Sequence, residues 1–121
     1  MQAETAVGDL SPHFDSSEFV DRRTGDRPVP PDALVAVLER IRALTGRPLV
    51  VVSGYRCLVT NRSVGGARES QHTYNRAADI PPGHASVAQA LEAGARGVGH
   101  RGGSVVHVDV RPGPVAVWEY P

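Results

Sequence analysis

Apolar residues recur at helical spacing in one stretch of the chain and alternate or cluster in short runs elsewhere. Leu34, Val37, Leu38, Ile41 and Leu44 mark one face of a helix that opens at Pro31 and stops at Gly46. Ahead of it, Asp15-Ser16-Ser17-Glu18 has the spacing of a capping box, with Phe14 and Phe19 placed to pack on either side. That predicts a short helix, joined to the longer one by a charged, proline-rich loop over residues 21–31. Pro48 to Val52 is a β-branched run ending in Ser53-Gly54 and predicts a buried strand. Val59 to Val64 has room for one or two helical turns before Gly65-Gly66. Arg76 to Ile80 predicts a second strand, closed off by Pro81-Pro82-Gly83, and His84 to Ala95 a helix with Val87, Ala90 and Leu91 on one face. Two more strands follow, Gly97 to His100 and Ser104 to Val110, then a terminal one through Val115 to Trp118. Helices early and strands late give an α+β fold, a small antiparallel sheet with helices packed on one side. Residues 1–12 lack periodicity and read as a flexible lead-in to a single domain spanning 1–121, expected to be a monomer.

Composition narrows the function. Thirteen basic residues, all arginine, balance thirteen acidic ones, so the basic excess of a nucleic-acid binder is missing and no nucleic-acid partner is expected. Without lysine there is neither a Schiff-base amine nor a P-loop lysine. One Trp, three Tyr and two Phe are too few for a base-stacking platform. The single cysteine, Cys57, excludes an internal disulfide and a cysteine-built zinc site. No run has the length of a membrane span, and Met1 to Thr5 has neither the basic start nor the apolar stretch of a secretion signal. The expectation is a protein that works inside the cell or leaves by another route, as phage lysis proteins do.

His72 and Asp79 stand close together in Ser70-Gln71-His72-Thr73-Tyr74-Asn75-Arg76-Ala77-Ala78-Asp79, and His107 lies on the strand Val105-Val106-His107-Val108-Asp109. Period-two alternation puts Val105, His107 and Asp109 on one face of that strand and Val106, Val108 and Val110 on the other. An apolar strand that gives two positions of one face to His and Asp asks that face to do something polar. Two imidazoles and a carboxylate make a zinc set with one tetrahedral position left over, the pattern of a catalytic site. Zinc so held acidifies a bound water and polarises a carbonyl. The spacing alone also allows a hydrogen-bonded core histidine beside a surface aspartate.

Ser70-Gln71-His72 through Ala77-Ala78-Asp79-Ile80, preceded by Ser53-Gly54-Tyr55-Arg56 and followed by Val106-His107-Val108-Asp109, resembles the zinc D-alanyl-D-alanine carboxypeptidase family. That family includes D,D-dipeptidases and some phage endolysins and shares its fold with lysostaphin-type peptidases and the hedgehog domain. The resemblance runs from about Leu10 to Trp118. It implies His72, Asp79 and His107 as ligands to Zn2+, Arg56 as the group that anchors the substrate carboxylate or polarises its carbonyl, and a peptidoglycan-type peptide as substrate. Ser70, where the family also has serine, either bonds substrate or caps its loop.

Departures from the family pattern are equally legible. Members place a glutamate three residues before the last histidine, or a histidine two before it, as general base; here those positions are Ser104 and Val105. Asp109 could take the water's proton or orient His107, with His100 and Glu69 as weaker bases. Asn75 stands where the family has glycine, and asparagine tolerates positive φ. His13 and His84 read as surface residues, Cys57 as a buried thiol, Tyr74 and Trp118 as packing or pocket wall. Three functions follow: a zinc peptidase of cell-wall peptides, a zinc-loaded module that binds such peptides or a protein without cutting, or the same scaffold recruited to another small-molecule reaction.

Overall fold

The computed structural model describes residues 8–67 and 70–121. Asp15 caps a 3-10 helix, Ser16–Phe19: its side chain accepts from Ser17 N–H while Glu18 reaches back to Asp15 N–H, the reciprocal pairing the sequence predicts. Phe14 and Phe19 are buried on either side. Residues 8–12 are packed rather than loose, since Leu10 lies against the core and Asp9 accepts from Ser16 N–H. Helix α1, Asp32–Thr45, buries Leu34, Val35, Val37, Leu38 and Ile41 and ends where Gly46 adopts φ 68°. Helix α2, Leu58–Ser63, follows Cys57. Helix α3, Val87–Glu92, is shorter than its apolar pattern suggests. Ser86 and Gln89 form a second capping box there and set its start, leaving His84 outside.

Strands β1, Ala77–Asp79, β2, Gly97–Arg101, β3, Ser104–Asp109, and β4, Ala116–Glu119, form one sheet in the order β1-β3-β2-β4. The pairs β1–β3 and β3–β2 are antiparallel, but β4 runs parallel to β2, so the sheet is mixed and not wholly antiparallel. The short 110–115 connection explains this. It turns back after β3 and steps over β2, and a strand opposed to β3 in direction must run with β2 on the far side. Between β2 and β3 a two-residue hairpin uses Gly102 and Gly103, both at positive φ. Residues 48–52 do not form the predicted strand. Leu49 and Val51 are buried and Val50 and Val52 exposed, as in a strand, but pairing reaches the sheet only through a bridge between Ser53 and Asp79.

Strand β3 also departs from simple alternation. Gly99 pairs with His107 and His100 with Val105, so Val106 is an extra, bulged residue. Val105 therefore turns into the core beside Val108, contrary to the expectation that it shares a face with His107. Val106 joins His107 on the opposite, open face. The core gathers Leu34, Leu38 and Ile41 of α1, Ala90 of α3, and Ala78, Val98, Val105 and Val108 of the sheet. No helix among the described residues is long and apolar enough to cross a membrane.

Candidate metal centre

Antiparallel register places Asp79, the last residue of β1, opposite His107 on β3. His72 arrives from the turn before β1. Ser70 Oγ accepts from His72 N–H at 3.2 Å, so Ser70 caps this loop. The His72 carbonyl accepts from Arg56 and Asn75 N–H, with Asn75 at φ 58°, as its residue type permits. One ligand atom from each of His72, Asp79 and His107 lies within 4.8 Å of the others. His72 Nε2 is 3.1 Å and His107 Nδ1 3.2 Å from the same oxygen, Asp79 Oδ1.

Proton accounting shows what this convergence requires. His72 Nδ1 lies 2.7 Å from the Gly54 carbonyl, which can only accept, so Nδ1 carries the hydrogen. His107 Nε2 lies 2.8 Å from Asp109 Oδ2 and likewise donates. In neutral rings the remaining nitrogens, His72 Nε2 and His107 Nδ1, each point a bare lone pair at a carboxylate oxygen. Electron-rich atoms facing one another call for a cation between them, which either a proton on one ring or a metal ion supplies. Tetrahedral zinc with bonds of about 2.0–2.1 Å holds its ligand atoms about 3.3 Å apart, close to both separations seen here. The donor set therefore fits zinc.

A layer behind the trio keeps it in place. Burial alone would raise the Asp79 carboxyl, but hydrogen bonds and charge from His107 and His72 hold it well below the usual carboxylate range. Burial works against a charged His107, yet the flanking Asp109 and Asp79 raise it above the ordinary imidazole value. Asp109 is fully buried and has no free lone pair. It accepts from His107, from Arg111 N–H, and from Arg111 Nε and Nη2 at 2.9 and 2.7 Å. Burial opposes its charge too, and Arg111 and His107 more than offset that. Glycine makes room for this layer: a Cβ on Gly97 would collide with the Asp109 carboxylate, and one on Gly99 with Trp118 and Tyr120. Trp118 fills that space, its ring centroid 5.2 Å from that of His107.

Arg56, predicted to face substrate, donates from Nη2 to Asp79 Oδ2 at 3.0 Å, from Nη1 to Asn61 Oδ1, and from Nε to Ser53 Oγ. It still lines the cleft with Ser70, His72, Asp79 and His107. The weaker candidates lie elsewhere. Ser104 Oγ accepts from Gly83 N–H, and His100 Nδ1 from Gly103 N–H. His13 pairs with Glu39 on the surface, and Tyr74 is exposed under Arg76. Cys57 is half-buried with its thiol on Thr60. Glu69 falls outside the described residues. Sequence reasoning missed Arg101, Arg111 and Tyr120, which line the cleft of about 870 Å³. All three follow strand or hairpin ends, and no spacing rule reaches from them to His72.

The cleft lining is mixed: Val52, Val64, Ile80, Pro81 and Val106 are apolar, while Arg101, Arg111, Trp118 and Tyr120 are cationic or aromatic. Among the described lining residues Asp79 is the only carboxylate. A search of curated proteins finds no match to the chain. The profile of the family described as Peptidase M15 matches residues 12–109, a span that holds all three converging side chains and Arg56. Metallopeptidase ancestry accounts for a carboxylate and two imidazole nitrogens being built to converge, and the chain belongs to the Peptidase M15 family.

Proposed function

We propose that this chain is a zinc peptidase acting on a peptidoglycan-type peptide, with His72, Asp79 and His107 as the metal ligands. The observation that carries the reading is the pair of imidazole nitrogens converging on one Asp79 oxygen, each ring fixed by a hydrogen bond on its other side. Zinc, when bound, supplies a Lewis acid that acidifies water and polarises a carbonyl. The chain's own residues do the rest. Gly54 and Asp109 select the tautomers of His72 and His107, and Arg111 holds Asp109 in place. Arg56 neutralises the outer oxygen of Asp79 and keeps further N–H groups at the cleft for a carbonyl oxygen or the oxyanion that forms from it. Asp109 acts in this scheme by orienting His107, because all its acceptor positions are filled and it does not reach the cleft.

Zinc by elemental analysis of the purified protein, together with D-alanine release from a peptide ending in D-alanyl-D-alanine, tests this directly. Stoichiometric zinc and release that disappears in His107→Ala are expected; a protein that takes up no zinc on titration would falsify the proposal. A second reading, a zinc-loaded module that binds such peptides without cutting, draws support from the base positions. Val105 is in the core and Ser104 bonds Gly83 away from the cleft. Tight zinc and peptide binding without release would favour it.

A further inference from the structure

Three arginines line the cleft, and two of them already hold carboxylates. Arg56 is paired with Asp79, and Arg111 grips Asp109 through two nitrogens. Arg101 differs. Among the described residues no carboxylate lies within ion-pair distance of it, and the nearby Glu119 carboxylate accepts from Gly102 N–H instead. Arg101 is nonetheless positioned. It ends β2 beside the Gly102-Gly103 hairpin and sits over the Tyr120 ring, 5.6 Å from its centroid. Tyr120 is held by its N–H donating to the His100 carbonyl at 2.8 Å and packs over the bare Gly99 backbone. From His107 the wall continues through Trp118 to Tyr120, with centroid separations of 5.2 and 6.2 Å, and ends at Arg101. Two aromatic rings thus separate the candidate metal centre from a guanidinium with no carboxylate partner among the described residues, a span that suits a peptide of a few residues at about 3.3–3.6 Å each.

We propose that Arg101 is a specificity-determining residue that receives a carboxylate of the peptide substrate at the Trp118–Tyr120 end of the cleft. This rests on the peptidase reading of the site, and it gives the substrate carboxylate to Arg101 while Arg56, three of whose N–H groups bond Asp79, Asn61 and Ser53, keeps the rest for the scissile carbonyl. A planar guanidinium with free N–H pairs binds a carboxylate bidentately, and stacking on Tyr120 limits the entropy lost in doing so. Either a C-terminal α-carboxylate or an acidic side chain could supply the anion.

Trp118 is the sole tryptophan and lines the cleft, so its fluorescence reports ligand binding whether or not the ligand is cut. The zinc-loaded full chain is titrated with an acetylated tripeptide ending in D-alanyl-D-alanine, as free acid and as C-terminal amide. A third probe keeps the amide and carries a glutamate in place of a neutral residue. Wild type is expected to bind one of the charged probes about 10-fold more tightly than the neutral amide, and the charged probe preferred identifies the source of the anion. That preference should vanish in Arg101→Gln and be only partly kept in Arg101→Lys, which retains the charge without the bidentate, stacked fork, with binding of the neutral amide unchanged in both. Equal titrations by all three probes, no response to any, or a preference that survives Arg101→Gln but is lost in Arg56→Gln would overturn the assignment. Failure of the peptidase reading would appear separately, as bound probe without D-alanine release.

Discussion

Asp21 and Asp79 are both carboxylates held ionised in the interior, and they are built to opposite ends. Asp21, fully buried, accepts from the N–H groups of Cys57, Arg23 and Thr24 and from the Thr60 hydroxyl. Every one of those donors brings its own hydrogen, so the node is complete within the chain. Its work is to fasten the 21–26 loop to the start of α2. Asp79 meets one arginine and two ring nitrogens whose opposite nitrogens are already engaged by Gly54 and Asp109, and it opens on a cleft. A closed set of donors marks a structural carboxylate. An open one, facing a cleft, leaves the carboxylate able to hold a further group.

The largest effect should come from breaking the open set. His107→Ala removes one of the two imidazoles, and peptidase activity should fall roughly 10³-fold or more, since a metal's stabilisation of transition-state charge amounts to several kcal/mol. Zinc should also raise the melting temperature of wild type and not of this variant, because a ligand that binds only the folded state stabilises it by mass action. An unchanged zinc-induced shift in His107→Ala would remove His107 from the metal site.

Asp21→Ala tests the closed set. It strands buried donors and should cost about 3 kcal/mol, roughly 10 °C in melting temperature for a domain this size, while zinc stoichiometry stays intact. The pH dependence has a definite sign. Burial pushes the Asp21 carboxyl up, but its four donors more than offset that and hold it well below the usual range. A folded-state value below the unfolded one of about 3.9 means the stabilisation is fully present above that pH and is lost as pH falls toward the folded value. Chemical denaturation between pH 6 and pH 3, taken as roughly that unfolded-state window, should show wild type losing stability faster than Asp21→Asn. Parallel curves would mean that Asp21 carries no linked proton.

Asp109→Asn lies between the two. Asp109 belongs to a closed set, yet it serves the open one by fixing the His107 tautomer. Zinc affinity should drop about 10–100-fold, with residual turnover at saturating zinc. Complete loss of turnover with affinity unchanged would instead make Asp109 the proton acceptor.

The convergence of His72, Asp79 and His107 was legible through the motifs around them that resemble the peptidase family, and the Asp15 capping box, the Gly46 stop and the positive φ of Asn75 through local turn and cap chemistry. The Ser86-x-x-Gln89 box is readable in the sequence by the same rule as Asp15-x-x-Glu18, and it, not the apolar periodicity around it, sets where α3 begins. Other features had no local signal. The donors to Asp21 at Cys57 and Thr60 are 36 and 39 residues away, so a loop that reads as solvated encloses a buried charge. The bulge at Val106 cannot be seen in a run of valines, because alternation assumes an unbroken ladder and side-chain size gives no clue to the break. The direction of β4 depends on which edge the chain reaches after β3, a matter of sheet assembly and not of the strand's own residues.

The smallest effect should come from Asn75, which helps to hold the open set only through backbone. Its N–H donates to the His72 carbonyl at 3.1 Å, and its side chain donates to the Val29 carbonyl at 2.9 Å on the exposed surface. Asn75→Gly keeps the first bond, relaxes a residue at φ 58°, and loses the second bond. Relief and loss are each of order 0.5–1 kcal/mol, so stability should change by less than about 0.5 kcal/mol and zinc affinity hardly at all. Asn75→Val loses the same side-chain bond but adds a β-branched residue in the left-handed region, and should cost about 1–2 kcal/mol. If glycine at this position weakened zinc binding as much as Asp109→Asn does, the asparagine side chain itself would belong to the machinery that aims His72, and the line drawn between closed and open sets would have to move outward to include this turn.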